Sequence, residues 1–168
     1  GYNIYNTDSN EKIIVINLIG NVFMKANDNP FLKIDELMNK LKNENDVKFI
    51  FVDFHAEATS EKVAMGHHLN GRVTAVIGTH QHIPTADSCI LSDGTAYQTD
   101  AGMCGDYNSV IGMDKNPILD RFKGQDPKSR FTPALGEATL CGVIVESFSD
   151  SFKAKSITPV KFGGFLGD

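Results

Sequence analysis

The sequence predicts an α/β protein built on a largely parallel sheet. Apolar, β-branched runs alternate with amphipathic stretches in the order β-α-β-α-β, the pattern of strands joined by crossover helices. Two of the runs break into polar loops. Val47-Lys48-Phe49-Ile50-Phe51-Val52 leads into Asp53-Phe54-His55-Ala56-Glu57, and Val73-Thr74-Ala75-Val76-Ile77 leads into Gly78-Thr79-His80-Gln81-His82. Both loops lie at carboxyl ends of strands, where open α/β sheets keep their binding crevices.

Each element has its own justification. Residues 12–18 are rich in isoleucine and valine and stop at Gly20, which predicts a strand. Asp28 or Asn29 is positioned to cap a helix, with Pro30 at its first position. Ile34, Leu37, Met38 and Leu41 then recur at i, i+3, i+4 and i+7, an apolar stripe that must pack on a sheet. The strand ending at His55 follows. Thr59-Ser60 predicts a second helix with Val63, Ala64 and His67 on one face, closed by Asn70-Gly71. The 73–77 strand comes next, and Asp93-Gly94 predicts a hairpin turn between 90–91 and 96–99. A short helix is expected near 116–123. Residues 138–145 and 155–160 read as late antiparallel strands, with 131–134 a further candidate.

The chain has 168 residues and a formal net charge of -5, which suits one domain or a piece of a larger one. With 41% hydrophobic and 22% charged residues, its composition is that of a globular protein able to bury a core. The acidic balance and the lack of a Lys/Arg cluster argue against a duplex nucleic acid partner. No apolar run approaches the roughly 18 residues of a membrane span, and the first residues carry no signal-peptide pattern. Cys89, Cys104 and Cys141 form no CxxC pair, which points to reduced thiols and a cytoplasmic location. The chain opens almost directly into strand-like sequence without an initiator methionine. The expectation is therefore either a trimmed start or a start partway through a domain.

His80 and His82 are two residues apart, and on an extended segment such residues point the same way. Neutral imidazole is the commonest side-chain metal ligand near neutral pH. With His55 added, three nitrogen donors from two strand ends could meet, and Asp53, Glu57 and Asp100 could orient the rings. The plainer reading is that these are ordinary polar residues of loops. His67-His68 read as surface or packing residues, and Asp93, Asp106 and Asp114 as turn residues. The cupin, metallo-β-lactamase and His-Glu-x-x-His patterns do not fit: Glu137 is the first glutamate after the pair, and Ile83-Pro84 follows it.

The segment from Asp53 to Lys62, Gly78-Thr79-His80-Gln81-His82, Thr85-Ala86-Asp87 and Thr99-Asp100-Ala101-Gly102-Met103 together resemble the YmdB-like branch of the calcineurin-like metallophosphoesterases. Asp28-Asn29-Pro30-Phe31-Leu32 and Ile111-Gly112-Met113-Asp114 extend the resemblance along most of the chain. It implies a β-sandwich flanked by helices around two metal ions, iron or manganese, acting on phosphodiesters such as 2′,3′-cyclic nucleotides. It implies that His55 and His80 bind one metal and His82 the other. The family's Asn-Gly-Glu-Asn and Gly-Asn-His segments, and its opening Gly-Asp loop, have no counterpart here. The resemblance thus implies the C-terminal portion of a single domain, residues 1–168, with the N-terminal part missing. No catalytic residue is assigned.

Such a stretch is expected to hold metal partly or not at all and to be nearly inactive alone. Its exposed sheet edge favours a homo-oligomer. The alternatives are a non-catalytic scaffold or interaction module with a vestigial metal site, and a mononuclear zinc hydrolase of another fold.

Overall fold

Residues 1–25 and 28–167 are described by a computed structural model of the chain. The chain starts with two antiparallel strands, β1 (Tyr2–Asn6) and β2 (Lys12–Ile19). Helix α1 (Pro30–Leu41) follows, then β3 (Val47–His55), α2 (Thr59–His68) and β4 (Ala75–Thr79). The short β5 (Cys89–Ile90) and β6 (Ala96–Gln98) form the hairpin expected at Asp93-Gly94, where Gly94 has φ +93°. Then come β7 (Cys104–Gly105), α3 (Lys115–Phe122), β8 (Thr139–Ser147) and β9 (Ala154–Phe162).

Among the described residues the strands form two sheets. The larger has the order β1-β2-β3-β4-β6-β5, parallel from β2 through β6 with antiparallel strands at both edges; the smaller is β7-β8-β9, all antiparallel. The strand period separates the two faces of the large sheet. Ile14, Ile16, Leu18, Ile50, Val52, Phe54, Val76 and Tyr97 pack with Ile34, Leu37 and Leu41 of α1 and Met65 of α2 in one core. On the opposite face Ala75, Ile77 and Ala96 meet Ala154, with Phe51, Val143, Val145 and Ile157 around them. The small alanines let the second sheet approach closely. The expected α/β sandwich flanked by helices is therefore the architecture, with α1 and α2 on one face of the larger sheet. None of the described helices is long and apolar enough to cross a membrane.

The α1 start is built as its residues dictate. Asn29 accepts hydrogen bonds from the backbone amides of Phe31 (2.9 Å) and Leu32 (3.3 Å), and Pro30 takes the first helical position. Replacing Asn29 with alanine is expected to cost about 1 kcal/mol of stability, measured by urea unfolding.

Three expectations are corrected. The third strand of the parallel run spans Ala75–Thr79, two residues later than the apolar run. Residues 131–134 form only an isolated bridge, Met113 to Pro133. Helix α2 turns a different face inward: Met65, Gly66, Glu61 and Lys62 are buried, whereas Ala64 and His67 are exposed. The two charged residues are taken inside because each finds partners there. Glu61 accepts the backbone amides of Asn21 (2.8 Å) and Val22 (3.2 Å), and Lys62 meets Asp100. The neighbouring His68 bonds Asp35 of α1 at 3.0 Å, so that pair is a packing feature, as its sequence suggested.

Candidate metal centre

Parallel register assembles the centre. In the β3 pairings, Asn17 of β2 stands beside Asp53, and Thr79 of β4 beside His55. Asp53 and His55, two apart on one strand, share the face turned away from the helices. Asn17 Nδ2 donates to Asp53 Oδ2 at 2.7 Å, and Thr79 Oγ1 donates to Asp53 Oδ1 at 2.8 Å. Thr79 has committed its single hydroxyl proton, so its 3.0 Å contact with His55 requires His55 Nδ1–H as the donor. The unprotonated nitrogen of a neutral His55 is therefore Nε2.

His80 is fixed from its other side. Its Nε2 lies 2.7 Å from Glu57 Oε2, and a carboxylate accepts only, so this nitrogen carries a proton. Its Nδ1 faces His55 Nε2 at 3.0 Å, with the ring centroids 4.8 Å apart and the planes at 88°. With both outer nitrogens committed as donors, two imidazole lone pairs converge on one point. Only a cation, a proton or a metal ion, satisfies both. Two nitrogens bound about 2.1 Å from one ion at right angles stand about 3 Å apart, so the donor spacing fits a shared ion.

His82 is placed apart from this pair. Its Nδ1 donates to the Ile111 carbonyl at 3.0 Å, leaving Nε2 bare on an exposed ring. This is how ligand histidines are commonly oriented. The extended-segment reading of His80 and His82 does not hold. Strand β4 ends at Thr79, and His80 and His82 have φ +117° and +66°, in a backbone region that residues with side chains seldom occupy. Among the described residues, no group of three or more His, Cys, Asp or Glu side chains is arranged to hold one ion. The structure thus brings together His55, His80, Glu57 and, through Thr79, Asp53. Asp100 sits fully buried beneath the loop, bonded to the Gln81 amide at 2.9 Å.

Asn17, Thr79 and Gln81 carry no functional signal of their own in the sequence. The Gln81 side-chain amide donates to the Glu57 carbonyl at 3.0 Å and ties the two loops together. Thr79 stood inside the Gly78–His82 motif; only the strand register reveals its role. Thr79→Val is expected to free the His55 ring and weaken Mn²⁺ binding about 10-fold, read by calorimetry.

Comparison with known proteins places these residues in a family. The family described as YmdB-like protein matches residues 1–160. The chain belongs to it. Among YmdB-like relatives, a Bacillus subtilis (strain 168) protein named 2′,3′-cyclic-nucleotide 2′-phosphodiesterase is 48% identical over 147 residues, covering 88% of this chain and 54% of that protein. The chain thus spans about half the length of this curated relative. A crystal structure of a novel phosphatase from Mycoplasma pneumoniae superposes with a TM-score of 0.86 at 34% identity, over 97% of this chain and 57% of that one. A hypothetical protein from Thermus thermophilus does so with a TM-score of 0.84 at 36% identity, over 98% and 62%. The YmdB-like β3 and β4 loops described above lie within the family match.

Proposed function

We propose that the protein is a metal-dependent phosphodiesterase that opens the cyclic phosphate of a 2′,3′-cyclic nucleotide. One observation carries the reading: two oriented imidazoles aim their lone pairs at a common point 3.0 Å across. The name of the Bacillus subtilis relative supplies the substrate class. In this reading His55 Nε2 and His80 Nδ1 hold one divalent ion and His82 Nε2 holds the other. Iron and manganese both suit a mixed nitrogen and oxygen shell. When bound, two such ions neutralise phosphate charge and supply a nucleophilic oxygen near neutral pH.

The chain's own contribution is orientation. Asp53 acts through Thr79 to set the His55 tautomer, and Glu57 fixes the His80 ring. In the reaction, an oxygen from water bonds to phosphorus and the bond to the ribose 2′-oxygen breaks. The 2′-oxygen takes a proton, and a 3′-phosphomonoester remains. The oxygen donors that complete the metal shell are, in this reading, not among the residues assigned here; the chain spans about half the length of the curated relative, which is compatible with their lying elsewhere in a longer protein. We place the protein in the cytoplasm. A homo-oligomer is the proposed assembly, supported by the edge strand β1, where Tyr2 and Tyr5 are 46% and 52% exposed.

The test is phosphorus NMR of 2′,3′-cyclic AMP incubated with Mn²⁺. The complete protein is expected to yield 3′-AMP and to stop when a chelator is added; residues 1–168 alone are expected to turn over little. A complete protein that binds Mn²⁺ and leaves the cyclic nucleotide intact would instead establish the non-catalytic module.

A further inference from the structure

We propose that the buried Lys62–Asp100 pair is a positioning device for His80, holding the peptide that follows it so that its ring faces His55. The proposal rests on the reading of His55 and His80 as a cation site. The Lys62 and Asp100 side chains are 1% and 0% exposed, with Nζ and Oδ2 2.8 Å apart. Taking two charges this far from water is costly, and apolar residues could fill the space with less loss of stability. The pair therefore calls for a role beyond packing.

Asp100 reaches further than Lys62. The same Oδ2 accepts the Gln81 amide at 2.9 Å, and Oδ1 accepts the Gly102 amide at 2.9 Å. The Gln81 amide belongs to the peptide immediately after His80, whose φ of +117° is a strained value for a residue with a side chain. Such a conformation persists only where its surroundings over-determine it. Here the determinants are the Asp100 carboxylate on the Gln81 backbone and the Glu57 carbonyl on the Gln81 side chain. Lys62 compensates the carboxylate charge from below. It passes beside Gly78, where a Cβ would lie 2.9 Å from Lys62 Cδ.

Without the Lys62 charge, Asp100 is left as an uncompensated buried carboxylate. It then turns toward water, and its grip on the Gln81 amide weakens. The His80 backbone relaxes, and Nδ1 moves off the line to His55 Nε2.

Two variants of the full chain test this. Lys62→Met removes the charge and keeps the length of the side chain. Asp100→Asn is milder, because it keeps an oxygen in front of the Gln81 amide. The measurements are hydrogen exchange at the Gln81 amide, the ring nitrogen resonances of His55 and His80, Mn²⁺ affinity and thermal unfolding. Lys62→Met is expected to speed Gln81 exchange about 10-fold or more. It should shift the His55 and His80 ring resonances while leaving those of the exposed His67 in place. Mn²⁺ affinity falls about 10- to 100-fold. Asp100→Asn follows the same pattern with smaller changes, and it decides the matter if Lys62→Met does not fold. A lowered Tm with Gln81 exchange and the His80 ring unchanged overturns the proposal and leaves the pair a purely structural one. Mn²⁺ that leaves both wild-type rings undisturbed overturns the cation-site reading alone, since Gln81 exchange is read without metal.

Discussion

Replacing His55 with alanine is expected to lower Mn²⁺ affinity by more than about 100-fold, beyond the 10–100-fold typical of losing a residue that merely orients a ligand. His55 Nε2 is one of the two lone pairs that meet at 3.0 Å, and its tautomer is set by the chain of bonds through Thr79 to Asp53. Without the ring, His80 Nδ1 faces an empty space and a single nitrogen is left to hold the ion. Calorimetry of Mn²⁺ binding reads that loss directly, and His67→Ala, an exposed histidine on α2, should retain wild-type affinity. Wild-type affinity in His55→Ala would remove this residue from the metal centre.

Gly78→Ala is expected to destabilise the protein by more than about 4 kcal/mol or to prevent folding, as judged by circular dichroism and thermal unfolding. A Cβ at this position would overlap the Thr99 carbonyl, which is backbone and cannot swing aside. The close approach is structural in origin. Gly78 pairs with Phe54 in β3, and its carbonyl accepts the Ala101 amide at 2.9 Å. The segment that carries Asp100 is thereby held against the end of β4. The substitution would push these two stretches apart and carry the His80 loop with them. Gly142→Ala is the control: a Cβ there meets nothing within 4 Å, so only a small change is expected.

Much of this was legible in the sequence, for identifiable reasons. Alternating and helical periodicities mark β2, α1 and β3 because their buried residues are apolar, and Asn29-Pro30 marks the α1 start chemically. His55 and His80 stood out because one ends β3 and the other immediately follows β4, two strands that run in the same direction. The inward face of α2 was hidden because it carries Glu61 and Lys62, charges that only tertiary partners make tolerable. The pairings of Asn17 with Asp53 and of His55 with Thr79 depend on register between strands distant in sequence, which no single strand encodes. The separate orientations of His80 and His82 follow from backbone angles that non-glycine residues rarely adopt, so no local pattern announced them. The two-residue β7 was too short to show any period.

The histidine loop after β4 borrows its shape from the Glu57 carbonyl, from Lys62 on α2 and from Asp100 beyond β6. A synthetic peptide of residues 78–82 would have nothing to curl it. Transplanting this motif into another scaffold would mean moving the helix and the far crossing segment along with it.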